Sequence, residues 1–156
     1  MTNLISAEGL KKLQDEYDHL WKVVRPKVVQ GVADAAAEGD RSENAEYIYG
    51  KKKLQEIDRK LRQLSSRLKV LKVAAPPEDP ERASFGCWVT YEEETGDERC
   101  YQLVGPEEID VKSGRISIDS PIGQALLNKK VDDEVVFHRP NGSITAYITG
   151  IYSTRP

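Results

Sequence analysis

The fold is decided by the stretch Glu38-Gly39-Asp40-Arg41-Ser42-Glu43-Asn44-Ala45-Glu46-Tyr47, which stands between two long segments of helical periodicity. On each side, apolar residues recur at steps of three and four and form one narrow seam. A short turn between two such seams predicts an antiparallel helical hairpin, because a parallel pair would need a long return connection. The two seams consist of Leu10, Leu13, Tyr17, Leu20, Val24 and Val28, and of Leu54, Ile57, Leu61, Leu64, Leu68 and Leu71.

The first arm of the hairpin has a predicted start and a predicted irregularity. Ser6 precedes Ala7-Glu8-Gly9 and fits the cap of a helix with an acid in its first turn. Pro26 removes a helical hydrogen bond and predicts a bend, but the seam resumes at Val28, so the helix continues beyond it. Each arm holds roughly 30 residues, or about 45 Å of helix. The turn therefore places its acidic side chains at the far end of a long hairpin.

The second half of the chain reads as a separate, β-rich module. The proline-rich segment 74–81 cannot continue a helix and predicts a linker. Five apolar runs predict strands, and Ser120-Pro121 predicts the capped start of a short helix that ends near Leu127. The predicted strands are Phe85–Tyr91, Cys100–Val104, Arg115–Ile118, Val135–His138 and Ile144–Ile151. We therefore expect an α+β chain with a coiled-coil hairpin over residues 1–75, a linker over 76–82 and a β-rich domain over 83–156.

The charge distribution supports two modules with different contacts. Residues 1–75 hold 15 Lys and Arg against 11 Asp and Glu, whereas residues 76–156 hold 8 against 15, so the net charge of -3 hides an asymmetry. Cys87 and Cys100 stand in strand-like apolar runs, which predicts buried, reduced thiols rather than a disulfide framework. His19 and His138 are far apart in sequence, and a zinc site is not expected. No stretch is apolar enough to span a membrane, and we expect a soluble, cytoplasmic protein.

Two features of the hairpin allow a structural and a functional interpretation. Asp40 and Glu43 have the spacing of a capping box for the second helix, with Ser42 as an alternative cap, but exposed carboxylates at a tip also suit metal binding. The second helix carries many basic residues, which fit either a solvated coiled-coil face or a surface for a phosphate backbone. The residues alone leave both pairs of interpretations open.

The turn and three further stretches resemble the bacterial Gre transcript cleavage factors. The resemblance is carried by residues 39–47, by Lys51-Lys52-Lys53-Leu54-Gln55-Glu56-Ile57-Asp58 and by Ile118-Asp119-Ser120-Pro121-Ile122 with Ala125-Leu126-Leu127. Leu20-Trp21 ahead of Arg25-Pro26, together with Asp40-Arg41-Ser42 and the basic second helix, favours the GreB branch. The match covers nearly the whole chain. It departs from the pattern at Gly123-Gln124, where a basic residue is often found, and Gly50 weakens the helix by about 1 kcal/mol relative to Ala.

The resemblance implies a division of labour between the two modules. The hairpin would enter the secondary channel of RNA polymerase, and an FKBP-like second domain would dock at the outer rim. Asp40 and Glu43 would direct the second catalytic Mg²⁺, so that the polymerase hydrolyses its own backtracked nascent RNA. No magnesium would be tightly held by the free protein, which is not expected to be a nuclease itself. By the same resemblance Arg41, Ser42 and Glu46 support the tip, Lys51, Lys52, Lys53, Arg59, Lys60 and Arg62 guide the RNA 3′ segment, and Asp119, Ser120 and Pro121 contact the rim.

Two other functions fit the same residues. A regulator could occupy the polymerase channel and retune transcription without promoting cleavage. Alternatively, the coiled coil could bind a partner helix, in which case the acidic turn would only cap. Substituting Asp40 or Glu43 separates these hypotheses, because only a cleavage factor would lose an enzymatic readout.

Overall fold

The predicted hairpin is formed by three helices and one π-helical segment. The computed structural model describes residues 1–39 and 44–156 and gives α1 Ala7–His19, a π-helical segment Leu20–Val24, α2 Arg25–Ala37 and α3 Ala45–Val70. Arg25 of α2 contacts Asp58, whereas Ala35 near the end of α2 contacts Asn44 at the start of α3. Since the partner number falls as the chain advances along α2, the two arms are antiparallel, as predicted.

The apolar seams are the contact surfaces of the hairpin. Ile57, Leu61 and Leu64 are the buried residues of α3, and Leu54 and Leu68 are half-buried on the same face. All six residues of the first seam are half-buried. Both predicted seams are thereby confirmed, except that Leu71 follows the last helical residue and caps the C-terminus of α3.

The irregularity predicted at Pro26 is a π-helical turn immediately before it. The Arg25 N–H donates to the carbonyl of Leu20, five residues back, instead of four. Pro26 lacks an N–H, and because α2 continues directly from helical residues, the ladder of the arm lacks one hydrogen bond next to the π-helical segment. The seam positions 20, 24 and 28 advance by four residues each time, more than the 3.6 of an α-helix, and the wider π turn takes up the excess.

The second unit is built on a five-stranded sheet. Its strands are β3 Trp88–Glu93, β4 Glu98–Val104, β5 Arg115–Ser117, β6 Glu134–Arg139 and β7 Gly142–Tyr152, in the spatial order β5-β4-β3-β7-β6. Neighbouring strands are antiparallel except for the parallel pair β4 and β5. A short helix, α4 Pro121–Leu126, follows β5. The five predicted strands and the predicted helix are confirmed, as is the α+β class.

The core of this unit lies on one face of the sheet, where α4 covers it. Tyr91, Leu103 and Ile148 point from three strands into it, and Leu126 contributes from α4. Cys87 is fully buried in the same core, and Cys100 is half-buried. Both cysteines are free thiols, and burial raises the pKa of Cys100.

The division into units differs from the predicted boundaries at both ends of residues 1–75. Contacts group Leu10–Leu71 as one unit and Met1–Gly9 with Lys72–Pro156 as the other. The reason is a short parallel ladder between β1 Leu4–Ile5 and β2 Lys72–Val73, which joins the first residues to the chain that follows α3. Ile5 is 1% exposed. Two-residue strands carry no period that a sequence pattern can reveal.

Candidate functional site

Asn44 links the two helices at the end of the hairpin. Asn44 Oδ1 accepts a hydrogen bond from the Tyr47 N–H at 3.1 Å, which makes Asn44 the N-cap of α3. Its Nδ2 donates to the carbonyl of Ala35 at 2.7 Å, near the C-terminus of α2. One side chain thus satisfies an unpaired donor of one helix and a terminal carbonyl of the other.

This cap corrects the capping-box interpretation of the turn. α3 begins at Ala45 and its cap is Asn44, four residues beyond Asp40. The interpretation in which Asp40 or Ser42 caps the second helix is therefore wrong, because Asn44 already supplies the accepting oxygen. Asp40, Arg41, Ser42 and Glu43 themselves lie outside the described residues. Among the residues that the structure does describe, no group of three or more His, Cys, Asp or Glu could hold a metal ion.

Glu46 is the acidic residue that the structure places at the α3 end of the turn. It lies in the first turn of α3 and is exposed. A carboxylate at this point is stabilised by the N-terminal end of the helix dipole. Gly39, at the other end of the turn, has φ of 138°, a conformation that favours glycine.

Gly50 allows the two arms to approach each other closely. A Cβ atom at this position would lie 2.8 Å from Cγ2 of Val32 on α2. Because the valine side chain is stiff, a larger residue at Gly50 would push the helices apart near the turn. The structure thus identifies the role of Gly50 as close approach of the two arms. The sequence leaves this role undecided.

The six basic residues expected along the RNA path are all exposed but do not share one face of α3. At about 100° per residue, Lys52 and Arg59 lie opposite the buried seam, and the other four lie on its two sides. Consecutive positions 51–53 necessarily point in three directions. The pairs on the two sides are Lys51 with Arg62, and Lys53 with Lys60.

Two ion pairs cross the hairpin, and one of them involves Lys60, one of these six cations. Lys60 Nζ lies 3.7 Å from Glu16 Oε1, so part of its charge is compensated within the protein. Arg25 Nε donates to Asp58 Oδ1 at 2.8 Å, a hydrogen bond that raises the pKa of Arg25. The same guanidinium lies 5.5 Å from the ring centroid of Trp21, an exposed residue of the π-helical segment. Lys51, Lys52 and Lys53 make no ion pair with any described residue.

The second predicted contact region lies at the start of α4. Ser120 Oγ accepts from the Gly123 N–H at 3.0 Å and donates to the Ser117 carbonyl, which confirms the predicted cap. Asp119 Oδ2 accepts from the Thr2 N–H at 2.9 Å. Asp119 and Pro121 are exposed, whereas Ser120 is half-buried. The hydroxyl of Ser120 is thus occupied inside the fold, and Asp119 and Pro121 remain on the surface.

Comparison with known proteins assigns the chain to a family. The family model "Transcription elongation factor, N-terminal" matches residues 3–73. The family model "Transcription elongation factor, GreA/GreB, C-term" matches residues 78–153. The chain belongs to the GreA/GreB family of transcription elongation factors. The resemblance drawn from the turn and from residues 118–127 is thus confirmed.

This GreA/GreB factor is most informatively compared with curated relatives that match it almost end to end. It is 51% identical to transcription elongation factor GreB of Yersinia pestis over 151 residues, which is 96% of this chain and 88% of that protein. It is 50% identical to GreB of Pseudomonas aeruginosa, covering 96% of this chain and 90% of that protein. The solved structure of GreA factor homolog 1 (Gfh1) from Thermus thermophilus is also similar, at 20% identity and a TM-score of 0.44, over 96% of this chain and 97% of that chain.

Sequence reasoning missed one residue that organises the turn of this GreA/GreB factor. Asn44 has the residue type preferred at an N-cap, and it immediately precedes Ala45-Glu46, which are good positions for a first turn. That signal was available in the sequence. The second bond of Asn44, to Ala35, was not, because it depends on how closely the two helices approach.

Proposed function

We propose that this elongation factor inserts its hairpin into the secondary channel of RNA polymerase and stimulates cleavage of backtracked nascent RNA by the polymerase active site. The observation that carries the proposal is the pair Asp40 and Glu43 in the connection between α2 and α3. Family membership and 51% identity to a GreB protein support it. The proposal places the protein in the cytoplasm with the polymerase, and in the described residues no helix is long and apolar enough to cross a membrane.

The chemistry of the two carboxylates suits magnesium. Mg²⁺ prefers hard oxygen ligands and keeps several waters, so it is commonly held by one or two carboxylates together with ligands from elsewhere. Asp40 and Glu43 would hold the ion with the help of polymerase groups. When bound, such an ion neutralises charge on the scissile phosphate and lowers the pKa of a bound water. Two carboxylates alone bind magnesium weakly, so we expect no nuclease activity from the free protein.

The remaining predicted residues have supporting roles in this proposal. Arg41, Ser42 and Glu46 would hold the turn in place against the polymerase. The exposed lysines Lys51, Lys52 and Lys53 would attract the phosphates of the extruded RNA, with Arg59, Lys60 and Arg62 further back. Lys60 would contribute least of these, because Glu16 already compensates part of its charge. Asp119 and Pro121 would contact the rim of the channel, and Ser120 would fix their position by capping α4.

The proposal is tested on stalled, backtracked elongation complexes with magnesium. Wild-type protein should release short 3′ RNA fragments, and Asp40→Asn or Glu43→Gln should lower the rate by about 100-fold or more, the usual effect of losing one aligned electrostatic contact. Binding to polymerase should be unchanged. Glu56→Gln is the matched control, because Glu56 is an exposed carboxylate on α3 away from the turn.

Two results would contradict the proposal. If wild-type protein binds polymerase but releases no RNA fragment, the protein occupies the channel as a regulator without cleavage. If both substitutions leave the cleavage rate unchanged while Glu56→Gln lowers it, the carboxylates of the turn are not the metal-directing pair.

A further inference from the structure

Tyr49 is an exposed aromatic residue that lies outside the apolar seam of its helix. It is 67% exposed, the highest value for any aromatic residue in the described part of the chain. It lies on α3, close to the turn and off the apolar seam. A single exposed apolar residue is ordinary on a protein surface, so exposure alone assigns nothing to it. Its neighbours on the helix provide the second observation.

Tyr49 is flanked by two cations, Lys52 and Lys53. Lys52 and Lys53 follow it at three and four residues, so their side chains lie beside the ring on the same side of α3. Both are exposed, and neither pairs with an acidic residue among those described. In contrast, Arg25 and Lys60 of the same hairpin each have an acidic partner. An aromatic face bordered by free cations is the arrangement that proteins use for single-stranded nucleic acid.

The direction of these side chains favours a ligand that reaches the end of the hairpin. Side chains of a helix tilt towards its N-terminus, and the N-terminus of α3 is at the turn. The ring of Tyr49 and the ammonium groups therefore lie closer to the turn than their backbone atoms. The acidic Glu46 stands one turn further in the same direction. A polyanion is thus attracted at the lysines and repelled at the acidic end, which leaves its bases free to contact the ring.

We propose that Tyr49 stacks on one base of the single-stranded RNA 3′ segment while Lys52 and Lys53 contact the adjacent phosphates. The inference rests on the proposed function for the presence of RNA at the hairpin and adds a base contact to a surface that otherwise reads only phosphates. Stacking is tolerant of sequence because every base has a π face. The contact would hold the RNA at a fixed distance from the turn without selecting a base.

The test uses full-length protein and backtracked complexes with 2-aminopurine in the extruded RNA. An Asp40→Asn background is expected to slow cleavage by about 100-fold or more, so that fluorescence reports the stack before the RNA is cleaved. Stacking should quench the fluorescence with Tyr49, Tyr49→Phe and Tyr49→Trp. Tyr49→Leu keeps an apolar side chain but has no π face and should not quench. Ile48→Ala is the matched control, since Ile48 is an exposed apolar neighbour that points about 100° away around the helix.

A second arm measures affinity by the protein concentration that gives half-maximal cleavage. Tyr49→Leu should raise this concentration by about 10- to 100-fold, the range found for loss of one base–aromatic stack. An RNA with an abasic nucleotide at the stacked position should remove the difference between wild type and Tyr49→Leu. Lys52→Ala with Lys53→Ala should weaken binding on both RNAs and reduce its salt dependence.

Three results would overturn the stacking proposal. In the first, Tyr49→Leu would quench the fluorescence as strongly as the wild type. In the second, Tyr49→Leu would still raise the half-maximal protein concentration on abasic RNA. In the third, Tyr49→Leu would bind equally weakly to complexes without extruded RNA, which would make Tyr49 a contact to the polymerase protein. Failure of the proposed function is a separate result, because wild-type protein would then release no RNA fragments while the fluorescence arm still reads the stack.

Discussion

Glu108 accepts hydrogen bonds from both the N–H and the hydroxyl of Ser6, the residue that caps α1. The Ser6 hydroxyl in turn accepts from the Gly9 N–H at 2.9 Å. In a local capping box the carboxylate comes from the third residue of the helix, which here is Gly9. Glu108 takes that role from 102 residues away, and a side chain on Gly9 would overlap its carboxylate. The cap of the first helix is therefore completed by the last residue of a short 3-10 helix, Pro106–Glu108, in the same unit as Ser6.

Removing this carboxylate should destabilise the protein. We expect Glu108→Ala to lower the free energy of unfolding by about 1–2 kcal/mol, because the N–H of Ser6 loses its acceptor in a half-buried position. Adding Gly9→Glu to Glu108→Ala restores a local capping box and should recover part of that loss. Urea unfolding of the four proteins of this double-mutant cycle measures both effects. A double variant as unstable as the sum of the single variants would contradict the exchange of roles, and Glu78→Ala, at an exposed carboxylate, is the control.

Gly50 should respond to substitution only through Val32. Gly50→Ala gains about 1 kcal/mol of helix propensity, but its Cβ would lie 2.8 Å from Val32 Cγ2, and the clash should cancel the gain or exceed it. In a Val32→Ala background the nearest remaining atoms of residue 32 are 3.9 Å away, and the same substitution should stabilise the protein. Thermal unfolding measured by circular dichroism tests the change of sign.

Gly31 provides the matched control for this cycle. It lies in α2 of the same hairpin, and no atom stands within 4 Å of the Cβ it would carry. Gly31→Ala should therefore stabilise the helix by about 1 kcal/mol in both backgrounds. An equal gain from Gly50→Ala with and without Val32 would show that the close approach is not the reason for glycine at position 50.

The two hydrogen bonds of Asn44 can be removed one at a time. Asn44→Asp keeps an oxygen for the Tyr47 N–H but loses the donor to Ala35, whereas Asn44→Ala loses both. We expect Asn44→Ala to cost about 1–2 kcal/mol and Asn44→Asp to cost less, because Asp is also a good N-cap. Hydrogen exchange of the first-turn amides of α3 and the unfolding midpoint give the two readouts. Equal losses in both variants would place the whole contribution in the bond to Ala35.

Tyr91 should make stability depend on pH in the alkaline range. Burial, with smaller contributions from Tyr101 and Glu93, raises its pKa from 10.0 to about 12. Because the neutral phenol is favoured in the folded state, this contribution to stability is complete below pH 10 and is lost as pH rises towards 12. Ultraviolet titration should show one tyrosine that ionises later than the rest, and Tyr91→Phe should abolish that step. Tyr147→Phe, at an exposed tyrosine, should leave it in place.

The elements that the sequence predicted are those held by local patterns. The leucine seam of α3 and the five strands repeat with the period of their own structure, so neighbouring residues alone identify them. Ser120 and Ser6 were found as caps for the same reason. The sequence does not predict the ladder between Leu4–Ile5 and Lys72–Val73, because each strand has two residues and the whole hairpin separates the strands in sequence.

At the candidate site, too, the sequence does not predict contacts between residues that are distant in the chain. Glu108 has no relation to Ser6 that spacing can show, because the two are brought together only by the folded chain. For Gly50 the pattern showed a weakness in the helix, and the neighbour that explains it lies on the opposite arm. Asp40 and Glu43 were identified through a family motif and not through geometry, and they lie outside the described residues.

The π-helical turn at Leu20–Val24 amounts to one residue more than an α-helix of the same rise would hold. Such a turn is the trace that a single-residue insertion leaves in a helix. Deleting one residue there would return the arm to uniform α-helix and leave Leu10, Leu13 and Tyr17 on nearly the same side, because a π turn and an α turn with one residue fewer rotate the chain by nearly the same angle. The π turn therefore absorbs one residue without changing the register of the arm, whereas deleting a residue from the regular part of α1 or α2 would rotate the seam by about 100°.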